Sequence, residues 1–244
     1  MGGIAKYPAC ILRGEGGSGV TAFLLDLAGQ DEAVMSDPAA KLSNPARDAA
    51  TLSIVSIDLS TVPLLNFPSY RIVHRHSWLG DNHLTIFADL KTLAEYWSPR
   101  HIVIDATGVG EGLWALLDKS FPGRVIPVKF TSAIKSEMGY RFLAMINTGR
   151  ITDLHPDPQV EAQYRACQSE VLPGSGKTLR WGVPEGTRDE EGRLIHDDYI
   201  MADALATCLD DLDWSFSSPT LIIPLDQLDS YANTDLIRSF DRNY

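Results

Sequence analysis

Residues 101–119 of the chain read HIVIDATGVGEGLWALLDK, and this stretch decides the fold class. Its first five residues, HIVID, form a short apolar run that ends in an acid, which predicts a buried β-strand. The segment TGVGEGLWALLDK then predicts a turn at Thr107 and Gly108, followed by a helix. A buried strand that leads through a turn into a helix is the repeating unit of α/β folds.

Three strand-like segments precede this unit. Residues 20–29 (VTAFLLDLAG) are apolar nearly throughout, which predicts a central strand. Residues 49–60 (AATLSIVSIDLS) and 70–80 (YRIVHRHSWLG) predict a second and a third strand, after a polar loop with two prolines at residues 30–48. Because no helical pattern separates these strands, we expect them to form an antiparallel meander.

Helical and strand patterns alternate in the middle of the chain. Residues 84–97 (LTIFADLKTLAEYW) have apolar side chains at helical spacing, and residues 124–130 (RVIPVKF) predict a fifth strand. A long helix is expected over residues 132–149, with Ser132 as its N-cap and Gly149 as the residue that stops it.

The last part of the chain predicts two more helices and a hairpin. A helix is expected within residues 156–170, a glycine-turned hairpin over residues 170–183 and a final helix over residues 197–213. Three meander strands followed by alternating helices and strands predict a mixed five-stranded sheet flanked by helices. This order is that of the ribonuclease H-like fold, and it makes strands one and four neighbours.

The bulk composition fits one globular domain. The 244 residues are 44% hydrophobic, which is enough for one sizeable core. We assign residues 20–216 to that domain, residues 1–19 to a flexible lead-in or linker and residues 217–244 to a C-terminal tail. No apolar run reaches the length of a membrane span, and no signal peptide is recognisable, so we expect a soluble intracellular protein.

The charge and the cysteines limit the classes of function. A net charge of −11 disfavours a simple nucleic-acid binder, because phosphate contacts need Lys and Arg side chains. An enzyme that holds divalent cations nevertheless needs local carboxylates. Cys10, Cys167 and Cys208 are far apart and form no CxxC pair, so neither a zinc site nor a disulfide framework is expected.

Two glycine-rich segments resemble nucleotide-binding motifs without meeting their requirements. RGEGGSG, at residues 13–19, precedes the first strand, whereas a dinucleotide site needs its glycines after a strand. PGSGKT, at residues 173–178, resembles a phosphate-binding loop, but Val171 stands where the first glycine is required and strand-like residues follow. We therefore expect a hairpin turn, on which Lys177 and Arg180 either contact a phosphate backbone or are merely solvated.

Carboxylates stand where three predicted elements begin or end. Asp26 lies near the end of strand one, Asp105 ends strand four, and Asp197 and Asp198 begin the last helix. Ligands collect at the carboxyl ends of strands in open α/β sheets. Repulsion between clustered carboxylates is relieved by divalent cations, and their hard oxygens suit Mg²⁺ or Mn²⁺. The pattern predicts a two-metal site for phosphodiester cleavage.

Each of these acids also has an ordinary structural explanation. Asp26 could close a strand into a turn, and Asp105 could cap the next helix. Asp197 could be an N-cap, with Asp198 favourable in the first turn of the helix. His196 could orient a carboxylate, shuttle a proton, ligate a metal or simply pack.

The other acids of the last helix are expected to be solvated. Asp203 falls on a different helical face from Asp197, and Asp210, Asp211 and Asp213 look like a solvated face. The apolar stripe of this helix is expected in the core. It comprises Ile200, Met201, Ala204, Leu205, Cys208 and Leu212.

The three acidic segments resemble a known family. FLLDLAGQDEA, HIVIDATGVGEGLWALL and HDDYIMADALA are similar to the acidic motifs of the nuclease domain of the large terminase subunit of tailed bacteriophages. The resemblance extends to the stretch VKFTSAIKSEMGYRFLAMINTGRI and to the Trp181 strand, and it spans roughly residues 20–214. The motifs are short, so their order and spacing carry the specificity.

The resemblance implies a ribonuclease H-like, two-metal endonuclease that cuts concatemeric viral double-stranded DNA during genome packaging. Asp26, Asp105 and Asp198 would be the main ligands of two Mg²⁺ or Mn²⁺ ions, with Asp197 as an alternative or additional ligand. Lys135 would occupy the family's basic position after strand five and contact DNA or the scissile phosphate, although it could also be an exposed helix lysine.

The resemblance also implies partners and a location. These are a packaging ATPase domain or subunit, the portal protein and the small terminase subunit, in the cytoplasm of the infected host cell. One departure is that large terminases carry an N-terminal packaging ATPase, and no such segment is recognisable here. Either the chain is an excised domain, with residues 1–19 as a former linker, or the ATPase is a separate polypeptide.

Three alternatives remain open from the sequence. A junction resolvase or transposase is the nearest nuclease rival. A non-catalytic docking module of a packaging motor would explain the net acidity and the missing ATPase. An actin-like or sugar-kinase-like ATPase would use DATGVGEG as a phosphate loop, but that fold needs two duplicated units, and 244 residues are too few.

Overall fold

The computed structural model describes residues 20–27, 49–79, 81–108, 110–174 and 176–214. The expected lead-in at residues 1–19, the polar loop at 30–48 and the tail at 217–244 lie outside the described residues.

The described residues form eight strands and six α-helices, and two 3-10 helices accompany them. The strands are β1 (Val20–Asp26), β2 (Ala50–Asp58), β3 (Ser69–Trp78), β4 (His101–Asp105), β5 (Val125–Val128), β6 (Ile151–Asp153), β7 (Gln168–Val171) and β8 (Leu179–Gly182). The α-helices are α1 (Val62–Leu65), α2 (His83–Trp97), α3 (Gly110–Ser120), α4 (Ser132–Asn147), α5 (Pro158–Ala166) and α6 (Asp198–Ala204). The 3-10 helices are Leu59–Thr61 and Leu205–Asp211.

Six strands form one mixed sheet in the order β5-β4-β1-β2-β3-β6, and β7 pairs with β8 in a separate hairpin. Strands β1, β2 and β3 are the expected antiparallel meander, and β4 and β5 add to β1 in parallel. The expectation of a mixed sheet is therefore confirmed, including the neighbouring positions of strands one and four. The expected count of five strands misses β6, which is only three residues long and so leaves no periodic signal.

The sheet separates two apolar clusters. The back face packs against α2 and α3 and includes Phe23 and Leu25 of β1. The front face packs against α4, α6 and the 3-10 helix that follows α6, and it includes Leu24 of β1 and Val103 of β4. Because side chains alternate along a strand, the residues two positions after Leu24 and Val103 also belong to the front face. These residues are acids, and they are the last residues of their strands.

The final helix is shorter than expected. It is α-helical over Asp198–Ala204 and continues as a 3-10 helix over Leu205–Asp211. Its apolar stripe lies in the core, as expected from the spacing: Ile200, Met201, Ala204 and Leu205 are buried, and Cys208 and Leu212 pack partly buried against them.

The ends of α4 and the hairpin test three local expectations. Thr131 caps α4 by accepting the Ile134 N–H at 3.2 Å, so the expectation of Ser132 as the cap is wrong by one residue. Gly149 has φ +67° directly after the helix, which confirms it as the stop. Strands β7 and β8 pair on either side of PGSGKT, so this segment connects the strands of a hairpin and is followed by a strand, not by the helix of a phosphate-binding loop.

Trp181 joins the hairpin to α4. Its indole N–H donates to the backbone carbonyl of Lys135 at 2.7 Å, and its ring lies against Gly139. A Cβ atom at Gly139 would overlap the indole. The absence of a side chain at this position therefore allows the hairpin to pack on the helix.

None of the helices in the described ranges combines the length and the apolar character that a bilayer crossing requires.

We expect Gly139→Ala to lower the free energy of unfolding by about 1–3 kcal/mol, because the added methyl group must displace Trp181. Gly112→Ala is the matched control, since its Cβ would meet the nearest atom at 3.9 Å and alanine favours a helix. Urea denaturation of both variants measures the difference. Equal or higher stability of Gly139→Ala relative to Gly112→Ala would contradict this packing.

Candidate metal centre

Strand pairing brings Asp26 and Asp105 together. Leu25 of β1 lies opposite Ile104 of β4 in a parallel register, so the acids that follow them are adjacent at the same end of the sheet. On its other side, Asp26 pairs with Thr51 of β2.

Thr51 in turn fixes the start of α6. Its hydroxyl donates to the backbone carbonyl of Asp198 at 2.9 Å, and the Ala49 N–H donates to Asp198 Oδ2 at 3.1 Å. From the far side, the side-chain oxygen of Gln163 accepts the Tyr199 N–H at 3.0 Å. The beginning of α6 is thereby held against the strand that borders Asp26.

Asp26 is the electrostatic centre of this arrangement. It is fully buried, and within the described ranges neither of its carboxyl oxygens has a hydrogen-bond partner. Burial raises the pKa of Asp26 well above its usual value, and the charges of Asp105, Asp198 and Asp197 raise it further. The charges of the other three acids singled out in the sequence therefore all act on Asp26.

Asp105 has a local as well as an electrostatic role. Its Oδ1 accepts the Thr107 N–H at 2.8 Å, so it stabilises the turn into α3. Burial raises its pKa, and the Thr107 hydrogen bond and the charge of Lys135 oppose that rise. Capping and metal binding are compatible here because a carboxylate has two oxygens.

Asp197 stands at the N-cap position of α6, but its side chain makes no capping hydrogen bond. Asp197 is therefore the N-cap residue by position, without the side-chain hydrogen bond that a capping role supplies. Its carboxylate lies against Gly182 at the end of β8, where φ is +133° and a Cβ atom would overlap Asp197 Oδ2. A glycine is thus required for both the backbone angle and the close approach. His196, the residue before Asp197, is half-buried.

The three basic residues singled out in the sequence lie in two places. Lys135, in the first turn of α4, lowers the pKa of Asp26 and of Asp105, so its ammonium group acts on the acids. Lys177 and Arg180 are exposed on the hairpin, and Arg180 pairs with Glu170 at 2.8 Å. The hairpin reaches the acids through Gly182, two residues beyond Arg180.

Asp203 contradicts the expectation of a solvated residue. It is fully buried and accepts hydrogen bonds from Ser53 at 2.5 Å, Tyr164 at 2.8 Å and Arg75 at 3.0 Å. Burial raises its pKa, and these three donors, with the charge of Arg75, oppose the rise. Helical spacing placed Asp203 on a different face of the helix from Asp197. That face of α6 packs against β2 and the Arg75 guanidinium of β3 and not against water.

The acids beyond α6 only partly match the expected solvated face. Asp210 pairs with Arg150 at 2.7 Å and accepts the Tyr70 hydroxyl at 2.8 Å, with 4% of its side chain exposed. Asp211 pairs with Arg141 but is largely exposed, and Asp213 is exposed. The expectation is therefore wrong for Asp210, whose buried position depends on partners from distant segments.

Sequence reasoning missed the polar residues that hold α6 in place. They are Thr51, Ser53, Arg75, Gln163 and Tyr164. One signal was available: Asp203 is a single acid among alanines and leucines in MADALA, and a charge so placed needs a partner. The identity of its partners could not be read from the sequence.

The donor set fits hard divalent cations. Within the described residues, no group of three or more His, Cys, Asp or Glu side chains meets the geometry of a metal-holding cluster. The buried carboxylate oxygens of Asp26, to which no described residue donates a hydrogen bond, nevertheless gain from a counter-charge, and cations supply one. All four acids offer carboxylate oxygens, the ligands that Mg²⁺ and Mn²⁺ prefer.

Comparisons with known proteins relate the chain to terminases. A family model described as the terminase RNaseH-like domain matches residues 34–209, a range that begins after Asp26. The terminase ATPase subunit of Escherichia phage P2 is 25% identical over 157 residues, which are 64% of this chain and 25% of that protein. The chain thus spans about a quarter of the length of this relative.

Two solved structures share the fold. The large terminase nuclease from thermophilic phage G20c has a TM-score of 0.53 at 17% identity, covering 78% of this chain and 81% of that one. The same nuclease with bound magnesium gives a TM-score of 0.53 at 18% identity, with 78% and 80% covered. These likenesses confirm the expected ribonuclease H-like fold.

We expect Asp26→Asn to stabilise the metal-free protein, by an amount that grows with pH. A folded pKa above the unfolded value means that the native state binds more protons, so the wild type loses stability as pH rises through that window. The gain should be smallest near about pH 4 and increase toward pH 8, by up to about 1.4 kcal/mol per pH unit. Urea denaturation in EDTA measures it.

Asp58→Asn is the control for this pH series. The Ser60 hydrogen bond lowers the pKa of Asp58, so its contribution is lost only as pH falls below the usual aspartate value. Its substitution should cost the same stability at every pH from about 5 to 8. A pH-independent gain for Asp26→Asn would show that Asp26 titrates normally.

Proposed function

Because the chain belongs to the terminase RNaseH-like domain family, we propose that it is a metal-dependent endonuclease that cuts concatemeric viral double-stranded DNA during genome packaging. The observation that carries the proposal is the buried Asp26 carboxylate, which receives no hydrogen bond from the part of the chain that the structure describes and experiences the charges of Asp105, Asp197 and Asp198. Cations that enter such a site offset the mutual repulsion of its carboxylates.

Asp26, Asp105, Asp197 and Asp198 would hold two divalent cations, Mg²⁺ or Mn²⁺. When bound, two such ions supply an activated water and a stabilised leaving oxygen for phosphodiester hydrolysis. The solved G20c nuclease with bound magnesium supports this choice of ion. His196, beside the ligand pair, would orient a carboxylate or carry a proton.

The remaining roles belong to residues that orient ligands or meet the substrate. Thr107 orients Asp105, and Thr51 with Ala49 orients Asp198. Lys135 would place its positive charge on the phosphate that is cut, since it already acts on Asp26 and Asp105. Lys177 and Arg180 would contact the DNA backbone from the hairpin.

The partners follow from the family. The P2 relative is named a terminase ATPase subunit, so we infer that this nuclease works with a packaging ATPase domain or subunit, the portal protein and the small terminase subunit in the host cytoplasm. The net charge of −11 favours weak DNA binding by the chain alone, and a motor that holds the DNA would raise its local concentration.

We expect Asp105→Ala to lower Mn²⁺-dependent nicking of supercoiled plasmid by more than about 100-fold, because the substitution removes a metal ligand. Asp118→Ala, on the exposed surface of α3, is the control and should cut like the wild type. Equal nicking by Asp105→Ala and the wild type would refute the assignment.

The same assay separates the alternatives. A strong preference for four-way junctions over linear duplex and plasmid DNA would indicate a resolvase-type nuclease instead. A wild-type chain that cleaves nothing with any divalent cation, yet binds a portal or ATPase partner tightly, would indicate a docking module.

We expect Lys135→Ala to lower the nicking rate at saturating Mn²⁺ by at least about tenfold, since a lost charge contact of about 1.4 kcal/mol is a factor of ten. Lys91→Ala is the matched control, because Lys91 is an exposed lysine of α2 on the back face of the sheet. Similar rates for both variants would mean that Lys135 does not meet the reacting phosphate.

A further inference from the structure

The Asp203 carboxylate joins four elements at one buried point. Ser53 from β2, Arg75 from β3 and Tyr164 from α5 all donate to it, and it belongs to α6. The Arg75 guanidinium also donates to Asp153 at 2.8 Å, so its charge is balanced by two carboxylates. The Arg75 and Asp203 side chains are 3% and 0% exposed, which makes this a buried ion pair.

The elements that hold Asp203 also hold the other end of α6. On β2, Thr51 lies two residues before Ser53 and donates to the Asp198 carbonyl. On α5, Gln163 precedes Tyr164 and accepts the Tyr199 N–H. Asp203 and Asp198 are five residues apart, about 7.5 Å along a helix axis. Both ends of α6 are therefore clamped between β2 and α5.

The helix itself has little stability of its own. It is seven residues long and has no side-chain cap, and isolated helices of this length do not persist in water. Its position therefore depends on packing and on these buried hydrogen bonds. Breaking a buried ion pair leaves an uncompensated charge, which forces the local structure to adjust.

We propose that the Arg75–Asp203 ion pair positions the candidate metal centre. It fixes α6 against β2 and so holds Asp197 and Asp198 at the separation from Asp26 and Asp105 that shared metal ions require. Arg75 and Asp203 are positioning residues, since they act through the helix and not on the substrate. This inference rests on the proposed function of the acids as metal ligands.

The chain contains a second buried pair that serves as a control. Arg150 donates to both oxygens of Asp210 at 3.0 and 2.7 Å, and Tyr70 donates to Asp210 at 2.8 Å. The chemistry matches that of Arg75, Asp203 and Tyr164. Asp210, however, lies in the 3-10 helix, twelve residues beyond Asp198. Its loss should cost stability without moving the start of α6.

The test compares Asp203→Asn with Asp210→Asn in the full 244-residue chain. Mn²⁺ binding is titrated by electron paramagnetic resonance of the free ion, and nicking is measured across the same Mn²⁺ range. We expect Asp203→Asn to weaken Mn²⁺ binding about 10- to 100-fold, as loss of residues that orient ligands does. Asp210→Asn should stay within about twofold of the wild type, although thermal melts should show both variants destabilised.

Two conservative variants keep the inference testable if Asp203→Asn does not fold. Tyr164→Phe and Tyr70→Phe each remove one tyrosine hydroxyl that donates to a buried aspartate. Both charges of the neighbouring ion pair stay in place. Tyr164→Phe should weaken Mn²⁺ binding several-fold, and Tyr70→Phe should not. Equal Mn²⁺ affinity within each matched pair of variants would overturn the positioning role.

The outcomes also separate this inference from the proposed function. A wild-type chain that neither binds Mn²⁺ nor nicks DNA overturns the proposed function, and the inference falls with it. A wild type that does both, with Asp203→Asn indistinguishable from Asp210→Asn, overturns the inference alone.

Discussion

The constraint on which the rest of the structure depends is the burial of Asp26 at the end of the central strand. A carboxylate that is fully buried and receives no hydrogen bond from any of the residues described destabilises the fold unless something else compensates it. The neighbouring acids increase that cost. The extensive apolar packing on both faces of the sheet provides the stability that tolerates it. An energetic cost of this kind is typical of sites that are completed by a ligand.

Around Asp26 the fold uses neutral and charged groups for different tasks. Hydroxyl and amide groups, such as those of Thr51 and Gln163, hold backbone atoms near the acids without adding charge. Two charged groups take part: Lys135 acts on Asp26 and Asp105, and Arg75 balances Asp203 inside α6. In the proposed function the carboxylates at the strand ends bind cations. The Asp203 carboxylate inside the helix is instead hydrogen-bonded and ion-paired within the protein. Acids of similar sequence context therefore have opposite roles.

Much of this arrangement could be read from the sequence, and the rest could not for identifiable reasons. The apolar runs before Asp26 and Asp105 gave both strands and the end of the sheet at which they meet. The three-residue strand β6 left no period to detect. Asp203 was misassigned because helical spacing gives the direction of a side chain but not what it meets. Ser53 and Arg75 pair with each other across β2 and β3. Only the order of the strands in the sheet brings them to the face of α6 that carries Asp203.

The short length of α6 separates the two sides of the candidate centre in their dynamics. Asp26 and Asp105 stand on central strands whose amides are protected by pairing on both sides, so they should exchange hydrogen only in large openings of the sheet. Asp197 and Asp198 stand at the start of a seven-residue helix whose place is fixed by side-chain contacts to β2 and α5. The amides of this helix should therefore exchange hydrogen in smaller openings than those of the two strands.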